Sequence, residues 1–268
     1  MPTLIDDLGR TLELAAPADR VVSLAPFLTE TVLRLGAAER LVGISETCPS
    51  AEHAVDPPRM GTVRAPSVTA IAAMHPDLVL VSAAETSMEA VQALEAAGIR
   101  VFGLQARNVE AAGRMVKSLG ALLGHGRTAE ELVREADDRV EDVRARVRGL
   151  PSPRVLHLVW RNPYHSVGPR TYAHDLIERA GGRNIWCRAA VDHPVTRPEE
   201  IGRMDPEVVI LPSHPYPFSV EDVDEVFIEL GCAATLDGRV HLVPGTLMHW
   251  PGLRYAEALE LLASILHP

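Results

Sequence analysis

One frame occurs twice in this chain. Ile71-Ala-Ala-Met-His-Pro-Asp-Leu-Val-Leu-Val-Ser82 aligns without a gap on Ile201-Gly-Arg-Met-Asp-Pro-Glu-Val-Val-Ile-Leu-Pro212. Each copy reads as a helical turn, a proline corner that stops it, and a β-branched run that wants to be a buried strand. Neighbouring segments repeat too. Arg20 to Ala25 (RVVSLA) matches Arg154 to Trp160 (RVLHLVW), and Gly98-Ile-Arg-Val-Phe parallels Gly238-Arg-Val-His-Leu. Helical patterns at Val68–Met74, Ser87–Ala97 and Asn108–Leu123 alternate with strand patterns at Leu78–Ser82 and Ile99–Leu104, which indicates parallel βαβ units. Pro26 is expected to break the first strand pattern before a short helix from Thr29 to Leu35, and Asp7-Leu8-Gly9-Arg10 to turn between two extended pieces.

The two copies flank a long amphipathic stretch from Thr128 to Gly149. Leu132, Val133, Ala136, Val140, Val143 and Val147 recur with a period near 3.6, and Thr128 with Glu131 has capping-box spacing. Gly149 and Pro151 supply the stop. About twenty residues at 1.5 Å each make a rod of roughly 30 Å. The expected fold class is α/β: two lobes with central parallel sheets joined by one long backbone helix. The N-terminal lobe is expected over 1–126, the linking helix over 127–150 and the C-terminal lobe over 151–268, with a ligand-sized cleft between the lobes and little hinge bending.

At 268 residues the chain is long enough to bury such cores. Its net charge of −10 disfavours nucleic acid as a partner, because phosphates call for a basic face. No apolar run is long enough to span a membrane. Cys48, Cys187 and Cys232 are scattered and form no CxxC pair, weak support for a reducing compartment. The start of the chain lacks a basic segment followed by an apolar one, so a cytoplasmic location is expected if Met1 is native, and a periplasmic or cell-surface one if the chain has been trimmed. P-loop, G-x-G-x-x-G, G-x-S-x-G and H-E-x-x-H patterns are all missing.

In open α/β sheets ligands sit at the carboxyl ends of strands. In the first half those ends carry Phe27 and Thr47, the latter in an irregular stretch from Ser45 to Pro66. In the second half they carry Trp160, Arg161, Tyr164, His165, His193, His214, Tyr216, His249 and Trp250. Four of the eleven histidines and two of the three tryptophans fall there. Imidazoles ligate metals and haem iron, and aromatic faces pack on flat macrocycles. His165, His193, His214 and His249 are the candidate metal ligands, and Arg161 a partner for a ligand carboxylate. The remaining histidines, at 53, 75, 125, 157, 174, 241 and 267, read as structural or solvated. Glu199 and Glu200 open a helix after Pro198, where they complement its dipole.

Several motifs together carry a family likeness over nearly the whole chain: DDLGR at 6–10, RVVSLAPFLTETVLRLGA at 20–37, LVGIS at 41–45, MHPDLVLVS at 74–82 and AGIRVF at 97–102, then LIERAGGRNI at 176–185, PEEIGRMDPEVVIL at 198–211 and PGLRYAEAL at 251–259. The chain resembles the helical-backbone (class III) substrate-binding proteins of ABC transporters for vitamin B12, haem and iron–siderophore complexes. The resemblance implies two Rossmann-like lobes, a metal-chelate ligand (cobalamin, haem or ferric siderophore), no obligatory cofactor and no catalysis. It also implies docking on a membrane permease through one Glu per lobe. The lobe-two Glu aligns with Glu199, whereas the lobe-one Glu aligns with Thr69. Positions that sandwich the corrin in B12 binders align with Thr47, Val63, Ser82, His165 and His193, an imidazole-bearing wall suited to a metal centre. The alternatives are a cytosolic metal-handling enzyme of chelatase type, which also uses two α/β lobes, direct metal-ion binding through the histidines, and a degenerate relative serving as an interaction module.

Overall fold

A computed structural model describes residues 3–48 and 57–268. The irregular stretch expected from Ser45 to Pro66 is thus seen at 45–48 and 57–66 only, and His53 lies outside the described residues. The chain forms two compact units, Met1–Ala106 with Glu110–Arg134, and Arg107–Val109 with Glu135–Pro268.

The first unit opens with an antiparallel hairpin of β1 (Thr3–Ile5) and β2 (Thr11–Glu13). Its turn is the expected one. Gly9 takes φ +80°, which glycine tolerates. Inside the turn the Asp6 carboxylate accepts from the amides of Leu8 (3.1 Å), Arg10 (2.7 Å) and distant Gly103 (3.0 Å). Burial pushes its pKa up, but these bonds and the Arg10 guanidinium outweigh burial and hold it below the usual value.

Next come β3 (Val21–Ser23), α1 (Pro26–Arg34), a 3-10 turn (Ala38–Arg40), β4 (Leu41–Ile44), α2 (Val68–Ala73), β5 (Leu78–Ser82), α3 (Met88–Ala96), β6 (Val101–Leu104) and α4 (Val109–Leu122). Strand order is β4-β3-β5-β6, all parallel. Every residue of β5 is buried, as a strand covered on both faces requires. Burying each of its Leu and Val side chains contributes roughly 1.5–3 kcal/mol. Pro26 begins α1 rather than breaking the pattern, because the first helical position has no need of an N–H.

α5 (Gly126–Val147) crosses the boundary between the units along the chain. It starts before Thr128, so the expected capping box does not form, and the Ala129 amide instead donates to the His125 carbonyl. Val133, Ala136, Val140 and Val143 of the expected stripe are buried, while Leu132 and Val147 are half-buried. Gly149 ends the segment at φ +80°.

The second unit contains β7 (Arg154–Trp160), β8 (Tyr164–Ser166), α6 (Tyr172–Arg179), β9 (Arg183–Asn184), β10 (Val195–Thr196), α7 (Pro198–Met204), β11 (Val208–Pro212), α8 (Val220–Leu230), α9 (Ala233–Leu236), β12 (Val240–Val243), α10 (Gly245–His249) and α11 (Tyr255–Leu266). Strand order is β10-β8-β7-β11-β12, with β9 also on β7. β7, β11 and β12 run parallel, and β8 and β10 form an antiparallel edge. The repeated frame reappears as α2–β5 and α7–β11, with corresponding bounds.

Candidate functional site

Because β7, β11 and β12 are parallel, their carboxyl ends share one edge of the sheet in the second unit. Trp160 ends β7, His214 follows β11, and α10 with His249 follows β12. Trp160 stands 46% exposed and meets Tyr216 edge-on, ring centroids 5.6 Å apart. Tyr216 leans on Phe218 at 4.6 Å, and exposed His214 meets Trp250 edge-on at 6.2 Å. Gly245 lets α10 approach: a Cβ there would sit 2.3 Å from the His214 amide nitrogen, and the Gly245 amide donates to Ser213 Oγ at 3.0 Å. The same close packing fixes the 191–193 turn, where the Gly168 amide donates to the Asp192 carbonyl and a Cβ on Gly168 would fall 2.1 Å from the Val191 carbonyl oxygen.

Beneath this surface lies a pair the sequence did not mark. His157, fully buried on β7, places Nε2 3.1 Å from Nε2 of His249, and its Nδ1 lies 3.3 Å from the Ile210 carbonyl. The two rings are near-parallel, centroids 5.1 Å apart and planes 16° off. Burial lowers the His157 pKa to about 4, with repulsion from His193 adding to the shift. Burial also pushes His249 well below the ordinary imidazole value, assisted by His157, His214 and His193. Both imidazoles are therefore neutral at pH 7 and stand within electrostatic reach of two more. His157 was read as structural because a strand pattern gives no sign of what a later helix brings against it. Its one visible signal was a histidine inside an otherwise apolar strand.

Arg161 and Tyr164 both have partners within the second unit. Arg161 is buried and ion-paired with Asp222 (2.9 Å), Glu225 and Glu229 (3.0 Å), so its charge is engaged within the unit. Burial alone would lower its pKa, and the three carboxylates raise it instead. Tyr164 is buried and donates its hydroxyl to Glu229, and burial and that carboxylate raise its pKa. His165 is half-buried in β8 opposite Val195. His193 is exposed in the turn before β10. Phe27 and Thr47 belong to the first unit. Phe27 is packed at 7% exposure, and exposed Thr47 shares a 3.0 Å hydroxyl contact with Ser45. Among the described residues no three His, Cys, Asp or Glu side chains gather closely enough to hold a metal ion, so His165, His193, His214 and His249 do not form a ready cage.

The sequence also missed the cations beside this surface. Arg107 and Arg170 both bond Asp192 at 2.8 Å, next to His193, and with Asn108, Pro169, His174 and Asp175 they line an open polar recess of about 600 Å³. Arg107, and Arg170 with it, hold the Asp192 carboxyl below its usual pKa. Glu199 is exposed in the first turn of α7, and Thr69 is exposed in the corresponding turn of α2.

Both units are α/β with parallel strands whose carboxyl ends can receive a ligand. Residues 21–228 match the periplasmic binding protein family, and the chain belongs to it. It is 23% identical over 200 residues to a vitamin B12-binding protein of Vibrio vulnificus, covering 75% of this chain and 73% of that one. The structure is similar to that of the periplasmic vitamin B12 binding protein BtuF of Vibrio cholerae (TM-score 0.82, 18% identity, 93% of this chain and 97% of that one). It is likewise similar to the periplasmic haem-binding protein BhuT in complex with two haems (TM-score 0.81, 24% identity, 94% and 98%). These relatives are binding proteins, not enzymes. Those solved are described as periplasmic, and nothing in the comparisons supports the cytoplasmic location expected above. Among the described residues no helix is long and apolar enough to cross a membrane.

Proposed function

We propose that the protein is the substrate-binding component of an uptake system for a metal-containing small molecule, and that the strand ends of the second unit make the principal contacts. One observation carries this reading: among the strand ends of the second unit His193, His214 and His249 keep surface exposed, and there Trp160 meets Tyr216 and His214 meets Trp250. Aromatic faces suit a flat or apolar chelate, and neutral imidazoles suit its metal. The vitamin B12 and haem named for the relatives belong to the same chemical class as this cargo. Arg107 and Arg170 share one carboxylate, Asp192, and stay about half exposed, so they are the cations open to a carboxylate on its rim. An ABC permease partner follows from the role, with Glu199 as its contact on the second unit, and so does a place of action in the periplasm or at the cell surface.

The test is to purify the protein from its native host and record an absorption spectrum and metal content, then titrate the stripped protein with cobalamin, haemin and ferric siderophores. One equivalent of a chelate bound, with loss of affinity of about tenfold or more in Trp160→Ala or Trp250→Ala, is expected. Failure of all three cargo classes to bind sinks the reading. Turnover of a porphyrin with free metal would identify a chelatase instead.

A further inference from the structure

We propose that His157 and His249 form a coordination site for a single divalent first-row transition ion, with His193 as its third ligand and the fourth position open. The site deepens the proposed function by naming a cargo or co-cargo that needs no macrocycle, and its test is separable from that reading.

The first argument is geometric. The two Nε2 atoms lie 3.1 Å apart. Metal–imidazole bonds of 2.0–2.1 Å spanning that separation subtend roughly 95–100° at the ion, between octahedral and tetrahedral values. The near-parallel rings let one ion lie in or close to both planes once each Nε2 turns roughly 40° off the line between them.

The second argument is the proton count. Two neutral imidazoles carry one N–H each. The Ile210 carbonyl can only accept, so the contact to Nδ1 of His157 assigns that N–H to Nδ1 and leaves a lone pair on Nε2. A ring nitrogen held by a backbone carbonyl while the other nitrogen presents its lone pair is the arrangement that orients metal-bound histidines. His249 then donates from Nε2 to that lone pair. When an ion enters, the His249 proton moves from Nε2 to Nδ1 through solvent, and the ion takes the place of the shared proton. No proton leaves the pair and no redox step is involved.

The third argument is the surroundings. The charged or titratable groups acting on the pair are His193 and His214, with no carboxylate among them. His193 is the one imidazole that acts on both members, and it is exposed on the turn before β10. His249 keeps part of its surface accessible, which gives an ion its way in, whereas a bulky chelate is kept from fully buried His157. Among the described residues no third ligand is yet in place, so the site closes on the ion rather than standing ready-made.

The probe is Zn²⁺ or Co²⁺ alone, added to the full chain freed of metal. One equivalent is expected to bind at micromolar concentration or tighter, and Co²⁺ is expected to give intense visible bands of four-coordinate geometry. His249→Ala should weaken binding at least 100-fold, His193→Ala about tenfold, and His75→Ala, at an exposed histidine of the first unit, should leave it unchanged. Circular dichroism checks that each variant is folded, and His249→Gln serves if the alanine variant is not. Imidazole ¹⁵N shifts give a second readout, since Nε2 of both His157 and His249 should move on adding Zn²⁺. Binding that His249→Ala and His249→Gln leave intact, or shifts confined to surface histidines, overturns the proposal. A protein that takes up a chelate but no bare ion refutes this site and leaves the proposed function standing, and the reverse result does the opposite.

Discussion

Arg161 occupies the position where a ligand-facing cation was expected, yet Asp222, Glu225 and Glu229 line one face of α8 and converge on it. Arg161→Ala would strand those carboxylates. Because Glu225 and Glu229 keep contact with water, the loss should be about 2 kcal/mol rather than the 3–5 of a fully buried pair, read from urea denaturation. His157 leads to a pH dependence. Its folded pKa of about 4 lies below the unfolded 6.5, so between those values the unfolded chain binds more protons. The stability it contributes is complete above pH 6.5 and is lost as pH falls toward 4, on the order of 3 kcal/mol in all. His249 shifts in the same direction. Denaturation midpoints at pH 7 and 5 should therefore differ markedly, and His157→Leu should flatten the difference. Residue types at the strand ends were legible in the sequence. Their partners were not, because the carboxylates that claim Arg161 come from a helix more than sixty positions later.

Elements were easier to read than residues wherever a local rule set them. The proline corner after α2 and after α7 fixed both copies of the repeat, and the 3.6 stripe fixed α5. Errors came at ends, where two local rules competed: Pro26 reads as a breaker or as a helix start, and Thr128 as a cap or as an interior residue. The antiparallel edge strands β8 and β10 are too short to show alternation, so nothing in the sequence marked them beside the expected central parallel strands. α5 illustrates what the stripe omits. Its second half is held by side-chain bonds as well, Asp137 to the Tyr255 hydroxyl at 2.8 Å and Arg139 to Glu260 at 2.8 and 2.7 Å. At this scale the sharpest test is Gly245→Ala. The new methyl cannot avoid the His214 backbone, so α10 must move away from β11. A loss of about 1–3 kcal/mol is expected by thermal melting, together with weaker cargo binding than in wild type.

The function proposed for the whole molecule separates capture of cargo from delivery. Glu199 is exposed in the first turn of α7, the helix that follows the His193 turn and β10. Glu199→Ala should leave cargo affinity within twofold and reduce uptake through the reconstituted permease about tenfold. Equal uptake by the variant would show that delivery does not use this charge, as the exposed Thr69 on α2 already foreshadows for the other unit. The order in which the chain is synthesised adds a further consequence. Asp6 is satisfied by Gly103, whose lack of a side chain also makes room for Leu8. These partners are 97 positions apart. At 5–20 residues per second, the leading hairpin emerges from the ribosome and then waits roughly 5–20 s for β6 to be made. The hairpin is thus among the last parts of its unit to be secured, long after its own two strands have been made.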